Sequence, residues 1–455
     1  MTDTITTDSG PAESLRGLCD GRVFLPGEPG YDAARTPWNV AADQRPAAVA
    51  VPSSVDHIVA VVRAAASAGL RVAPQSTGHR ATAIAADLAG AVLLRLSDFT
   101  GVSIDPDRRV ARVVGATLWQ QVAEAAAEHG LAAMHGSSPD VAVAGYTVGG
   151  GLSWYSRMHG LASDRLLAAE LVLADGSVVR TDATEHPELF WALRGGGTCL
   201  GVITALEFSL LPLSEVYAGM LLWDGSRAQQ VCRAWADWTH ELDEHATTAL
   251  RLLSVPPLPD VPEVIRGRQL VVIDGAVLGE PDRASALLAP LRDLRPELDT
   301  FGPTPAAALT RMHMDPEGPT PSVTDHDLLA DFDQAAADAL VAVAGAASGS
   351  TLLAAEIRHL GGALAVESEG RGALRRIPGD YLGFFVGIAA TPDLGAQARA
   401  DAAKVVAALA PWSSGRKFLN FSDDPTDPSS ALEPDALARL RQLRAAIDPT
   451  GLFVG

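Results

Sequence analysis

The chain has 455 residues, nearly half of them apolar, and a formal charge of −20. That length exceeds one compact core, so two domains are expected, and the acidic balance excludes a nucleic-acid surface, which needs clustered Lys and Arg. Cys19, Cys199 and Cys232 form no metal or redox spacing, no stretch reaches the length of a membrane span, and the polar start at 1–10 carries no leader signal, so a cytoplasmic protein with free thiols is expected.

Taken in order, Ser53 or Ser54 caps a helix whose Ile58, Val61, Val62 and Ala65 share one face; Gly69 stops it and 71–74 reads as a strand. A small polar loop follows, Gln75-Ser76-Thr77-Gly78-His79-Arg80. Such a loop aims several backbone N–H groups at one anion, and Gly78, with no Cβ, lets the backbone come close. On these residues alone His79 also reads as an ordinary surface histidine. Residues 91–96 form a strand, 102–105 and 110–114 a hairpin, and Thr117 caps a helix ending at Gly130. The stretch 136–151 is rich in glycine and small residues, has no helical period and is suited to backbone contact with a ligand. A second hairpin, 166–174 with 177–181, turns at Asp175-Gly176; Pro187 opens a short helix, and 201–211 is a strand closed by Pro212.

Beyond residue 213 the elements lengthen: strand 216–222, helix 227–241, strands near Leu250 and Leu270, and helix 282–291. A Pro-rich loop at 302–322 precedes helix 328–344, strands 352–360 and 381–388, and helix 395–409. Strands outnumber what a doubly wound sheet requires, which predicts an antiparallel sheet with helices on one face. The tail reads as strand 416–421 and helix 434–447.

Several standard signatures are missing, among them the Gly-x-Gly-x-x-Gly and phosphate-loop patterns and the Gly-x-Ser-x-Gly elbow. His240, Glu241 and His245 miss the zinc-helix spacing by one residue, and His313, Asp315, His326 and Asp327 read as solvated groups of a Pro-rich loop, so no metal is expected.

Other stretches carry a resemblance. Gln75-Ser-Thr-Gly-His79 and Ser138-Pro-Asp-Val-Ala-Val-Ala-Gly145-Tyr-x-x-Gly-Gly-Gly151 are joined by Tyr31-Asp-Ala-Ala-Arg35-x-x-Trp38-Asn39, Glu188-Leu-Phe-Trp191 with Gly195-Gly-Gly197, and the tail Phe418-Leu-Asn420-Phe421. In this order and spacing the chain resembles the vanillyl-alcohol oxidase (PCMH-type FAD-binding) superfamily, and within it the berberine bridge enzyme-like branch, of the 6-hydroxy-D-nicotine oxidase type. The resemblance implies an α+β fold: a two-subdomain FAD-binding domain (1–212 with a C-terminal segment, 414–455) and an inserted substrate domain (213–413) with an antiparallel sheet covered by helices on one face. It implies FAD contacts from Gln75, Ser76, Thr77, Gly78, His79 and Arg80, from Gly136, Ser137, Ser138, Val141, Ala144, Gly145, Tyr146, Gly149, Gly150 and Gly151, and from Val202, Asn420 and Phe421. With no lysine near either loop, backbone amides are expected to hold the pyrophosphate.

His79 matches the histidine that this branch links to the flavin 8α carbon. Ser138 stands where the family often has a second, cysteine tether, so a single covalent link through His79 is expected. Phe418 stands where many relatives carry the tyrosine that takes a hydroxyl proton. Strand alternation puts Glu356 and Arg358 on one face and His359 on the other, which makes Glu356 the leading candidate for the catalytic group, ahead of His359 and Tyr381; its alternative role is a structural ion pair with Arg358. The expected function is hydride transfer from a small-molecule amine or alcohol, such as a secondary metabolite, to flavin, with reoxidation by O2; the missing tyrosine favours amines. The alternatives are a non-redox cyclisation or rearrangement around a structural FAD, and a binding protein without activity. No nucleic-acid or membrane partner is expected, and the protein is expected as a monomer or homodimer.

Overall fold

Helix Val55–Ser67 buries Ile58, Val61, Val62 and Ala65 completely, the four positions that share a face at helical spacing. The Ser54 side chain, rather than Ser53, caps it by accepting from the His57 N–H at 3.2 Å. Gly69, at φ +69°, turns the chain into strand Arg71–Gln75. The computed structural model describes residues 10–197, 199–259, 261–367, 370–423 and 425–455; the polar start read for targeting lies, at 1–9, outside them.

Three sheets organise the chain. In the first, Ala48–Ala50, Ala91–Arg95 and Arg71–Gln75 run parallel, with Val23–Phe24 antiparallel at one edge. The far C-terminus joins this sheet, because Val72 N–H donates to Leu452 O at 2.8 Å and Val454 N–H to Val72 O at 2.9 Å. The second sheet is antiparallel, in the order Thr100–Asp105, Val110–Gly115, Val202–Ser209, Leu166–Val172, Val178–Asp182. Its core holds Trp119, Leu171, Trp191 and Phe208, together with Leu440 of helix Pro434–Ile447.

The third sheet is antiparallel throughout: Leu298–Asp299, Glu215–Asp224, Gln269–Val277, Ala246–Ser254, Leu352–His359, Tyr381–Ile388, Ser322–Leu329, with Gly302–Pro305 also paired to Glu215–Asp224. Helices Ala228–Thr239, Gln334–Ala344 and Pro392–Leu409 cover one face around Trp235, Phe332 and Phe385. The fold class read from the sequence is the one observed.

Local readings differ in several places: the helix expected at 282–291 is two, Pro281–Leu287 and Ala289–Arg292, and the Pro-rich stretch holds strand Gly302–Pro305 and a turn of helix at Ala306–Arg311. Thr117 is not the helix cap: its hydroxyl bonds Gly101 and Val114, and Gln121 instead satisfies the Leu118 N–H at the start of Trp119–Ala127. The stretch without helical period contains a short helix, Val143–Val148, because its small side chains let it pack despite poor amphipathicity. Leu328 lies in strand Ser322–Leu329, and the helix starts only at Gln334, capped by Asp333. The tail at 416–421 forms no strand; its backbone bonds go to side chains and loops, and Leu419–Phe421 makes a tight turn.

Candidate active site

A cavity of about 1010 Å³ lies between the loops of the first two sheets and the helix-free face of the third. It stands at the top of the range of about 300–1,000 Å³ usual for small-molecule sites. Residues 75–80 form one wall. Gly78 takes φ +85°, and a Cβ there would lie 2.7 Å from Pro37 Cβ, so a side chain is excluded. Among the described residues the backbone N–H groups of 76–80 find no backbone acceptor, while the carbonyls of Thr77 and Gly78 accept from Trp38 and Asn39. Arg80 Nε donates to Ser422 O at 2.8 Å and ties the loop to the tail.

His79 stacks on Trp38, ring centroids 4.1 Å apart and 17° from parallel. Thr77 Oγ1 lies 2.8 Å from its Nδ1, and Asp140 Oδ1 lies 3.7 Å from its Nε2. Asp140 Oδ2 accepts from Trp38 Nε1 at 2.6 Å and from Gly318 N–H at 2.9 Å. Burial opposes charge on Asp140, but the neighbouring His79, the Gly318 amide and the Trp38 indole outweigh it and hold the carboxyl below its usual range.

Gly136, Ser137, Ser138, Val141, Ala144, Gly145, Tyr146 and Gly149 line the cavity from the second loop. A Cβ on Gly149 would meet Asn420 Oδ1 at 2.2 Å, so glycine is what lets Asn420 reach the helix end, where its Nδ2 donates to Tyr146 O at 2.9 Å. Gly150 and Gly151 do not reach the cavity: they pack against Phe418 and Leu374, and against Tyr146 and Ala162. Val202 is likewise turned into the core beside Val72 and Val172, and its neighbours Gly201 and Ile203 face the cavity instead. The Tyr146 hydroxyl is buried without a hydrogen-bond partner, and burial, partly offset by Arg358, pushes it well above the usual phenol range. The phenol therefore keeps its proton at neutral pH.

The tail contributes Leu419, Asn420 and Phe421. Phe418 lies in the core, its N–H donating to His326 Nε2 at 3.1 Å. Burial, then Lys417 and Arg80, push His326 down to about 3, so it remains a neutral acceptor. The tail phenyl ring in the cavity is therefore that of Phe421, 5.2 Å beneath the Arg358 guanidinium, not that of Phe418.

The opposite wall is charged. Arg251 and Glu356 are cross-strand partners, Asp274 and Arg358 flank them at register positions opposite Ala249, and alternation sends all four to one face. Arg358 Nε lies 2.7 Å from Glu356 Oε1, and Arg251 Nη2 lies 2.5 Å from Asp274 Oδ2. His313 Nε2 sits 3.2 Å from Asp274 Oδ1 and 3.7 Å from Glu356 Oε1. His313, His326 and Asp327 are thus buried, not the solvated loop groups expected: the Pro-rich segment carries His313 back over the sheet, and His326 and Asp327 belong to strand Ser322–Leu329. Asp315 accepts from Ser138 Oγ at 2.7 Å.

His359 and Tyr381 face away from the cavity. Alternation turns them toward the helix layer, where their rings stack at 5.2 Å and the Tyr381 hydroxyl lies 2.9 Å from Thr239 Oγ1. Neither is placed to touch a ligand beside Glu356. Sequence reading passed over Trp38 and Asp140 as site residues, and also Arg251, Asp274 and His313. The signal available was a lone charge inside each of two apolar strands, Arg251 between Leu250 and Leu252, and Asp274 after Ile273.

Free amides at 76–80, the unpartnered Asn420 Oδ1 and His79 in the cavity wall fit a dinucleotide cofactor with an anionic middle. Residues 46–182 match the family described as FAD binding domain. The chain is 37% identical to (R)-6-hydroxynicotine oxidase of Paenarthrobacter nicotinovorans over 205 residues, 45% of this chain and 44% of that protein. The matched stretch spans about two fifths of the length of the curated relatives. Among solved structures, 6-hydroxy-D-nicotine oxidase from Arthrobacter nicotinovorans superposes with a TM-score of 0.81 at 24% identity, covering 95% of this chain and 96% of that one. Glucooligosaccharide oxidase from Acremonium strictum, described with a 6-S-cysteinyl, 8α-N1-histidyl FAD, gives 0.80 at 21%, covering 98% of each. Residues 46–182 thus match an FAD-binding domain, and the chain shares the fold of these solved structures, a berberine bridge enzyme-like protein of Physcomitrella patens among them. Among the described residues no helix is long and apolar enough to cross a membrane.

Proposed function

We propose that the protein is an FAD-dependent oxidase that takes a hydride from a small-molecule amine or alcohol, with FAD held by a single covalent link at His79 and reoxidised by O2. One observation carries this reading: His79 and the Glu356–Arg358 pair line the same cavity from opposite walls. The bound flavin would supply the hydride acceptor. The free amides of 76–80 would hold its pyrophosphate, each charge-assisted bond contributing about 1.5–3 kcal/mol, and Asn420 would face its polar edge. The flavin of the glucooligosaccharide oxidase is described with two links, one cysteinyl and one histidyl; Ser138, whose hydroxyl donates to Asp315, offers no thiol for the first, which supports a single link at His79.

Glu356 is the group proposed to receive the substrate's proton or to hold its nitrogen. Neither Phe418 nor Phe421 offers a phenol, and Tyr146 keeps its proton. An amine can lose a hydride without first losing an O–H proton, so amines are the favoured class, a choice also supported by the similarity to (R)-6-hydroxynicotine oxidase. Anaerobic addition of amines and alcohols to the purified protein tests the reading. Bleaching of the flavin band by an amine is expected; turnover without bleaching would instead establish a non-redox rearrangement around a structural flavin, and bleaching by neutral alcohols alone would reverse the substrate class. Colour retained in the acid-precipitated pellet, and lost from it in His79→Ala, would establish the link.

A further inference from the structure

We infer that Asp140 is a positioning residue for flavin attachment: it holds the proton of His79 on Nε2 and thereby leaves Nδ1 as the nucleophile. The inference rests on the covalent link proposed above. Two buried polar atoms carry it. His79 Nε2 and Asp140 Oδ1 each find no hydrogen-bond partner, yet they face one another at 3.7 Å. Closing that gap by less than about 1 Å brings them within bonding range. The other carboxylate oxygen is anchored twice, by the Trp38 indole and by the Gly318 amide, so Asp140 presents Oδ1 to the histidine in a fixed direction. Trp38 serves both groups: its ring stacks on the imidazole and sets its plane, while its Nε1–H holds the carboxylate. Its own backbone is fixed on both sides, since its N–H donates to Thr77 O at 2.8 Å and its carbonyl accepts from Thr320 N–H at 2.9 Å.

An imidazole offers one lone pair for attack when neutral, and the nitrogen that carries the proton cannot be the nucleophile. With Nε2–H directed at Asp140, the lone pair lies on Nδ1, where the Thr77 hydroxyl donates to it and can rotate aside. With FAD bound, its 8α methyl would first give up one C–H proton, and Nδ1 would then form the N–C bond to that carbon, the electron pair of the broken C–H bond passing into the flavin ring. Positive charge grows on the imidazole as the bond forms, and the Asp140 carboxylate opposite Nε2 stabilises it. Dioxygen would then take up the two electrons together with two protons, one from the carbon and one from Nε2, and leave as hydrogen peroxide.

Asp140→Asn keeps the size of the side chain and its acceptor toward Trp38 and Gly318 but removes the charge. FAD is added to protein produced under flavin limitation, and acid-stable flavin is followed in time across a range of FAD concentrations. In the variant the limiting rate of attachment is expected to fall about 10²-fold, with the half-saturating FAD concentration and the total flavin bound unchanged. A purely structural Asp140 would raise the half-saturating concentration and leave the limiting rate alone, and that result overturns the inference, as does wild-type attachment in Asp140→Asn. Should that variant not fold, Trp38→Phe keeps a stacked ring and removes the indole donor; slower attachment at unchanged FAD affinity is expected, and an unchanged rate overturns the inference. Wild-type protein whose flavin is entirely released by acid overturns the covalent reading itself, and this inference with it.

Discussion

Glu356 shows how one side chain can be pulled between two roles. It pairs with Arg358 and lies near His313, the arrangement of a structural ion pair, and it also lines the cavity opposite His79. The two roles predict different losses. Glu356→Gln keeps the volume and one acceptor, so a catalytic Glu356 costs about 10²–10⁴ in the rate of flavin reduction, with flavin content little changed. A structural Glu356 instead leaves Arg358 buried without its counter-ion, and the loss appears as lowered stability of about 3–5 kcal/mol. Stopped-flow reduction and chemical denaturation of the same variant separate them. The first outcome is expected, because Asp274 and Asp315 remain nearby to support Arg358.

At the scale of elements, the C-terminal segment holds the first sheet together from outside the sequence that forms it. Phe453 is completely buried against Val72, and Asp448 caps the segment by accepting from the Leu452 and Phe453 N–H groups at 2.7 and 3.0 Å. Strand Arg71–Gln75 leads directly into the 75–80 loop, so loosening this contact loosens the cofactor wall. Phe453→Ala is expected to cost about 3–5 kcal/mol by denaturant unfolding and to lower flavin incorporation. Ser54→Ala, which removes the cap of the neighbouring helix, should cost only about 1 kcal/mol and leave flavin binding intact, because the apolar face of that helix remains.

At the scale of the whole molecule, buried carboxylates set the response to acid. Burial alone would raise Asp274, but Arg251 and His313 outweigh it and hold it below the usual carboxylate range. A group whose folded value is depressed stabilises the protein fully above its unfolded value, about 3.9, and that contribution is lost as pH falls through the folded value. The unfolding midpoint should therefore decline steeply below about pH 4. Asp274→Asn, destabilised by about 3–5 kcal/mol at neutral pH because Arg251 is left without its partner, should show a shallower decline. Thermal unfolding from pH 7 to pH 3 checks both.

The cofactor side of the cavity was legible in the sequence because it is built from contiguous stretches. A strand followed by 75–80, a run of small residues at 136–149 and the tail at 419–421 each carry their own signature of turn chemistry and small side chains, and each ends up at the cavity. The capped helix 55–67 and the hairpin at Asp175-Gly176 were readable for the same reason: capping and turn geometry depend on neighbours in the chain. Alternation likewise separated Glu356 and Arg358 from His359 before any contact was known. Only the tertiary structure decided which face meets the cofactor domain. It turned Val202 and Phe418 into the core, sent Tyr381 and His359 to the helix layer, gathered Arg251, Asp274 and His313 from three separated segments, and set Asp140 opposite His79. Local chemistry fixes periodicity and turns, whereas register, sheet order and the packing of one sheet on another arise from contacts between residues far apart in the chain, which no single stretch encodes.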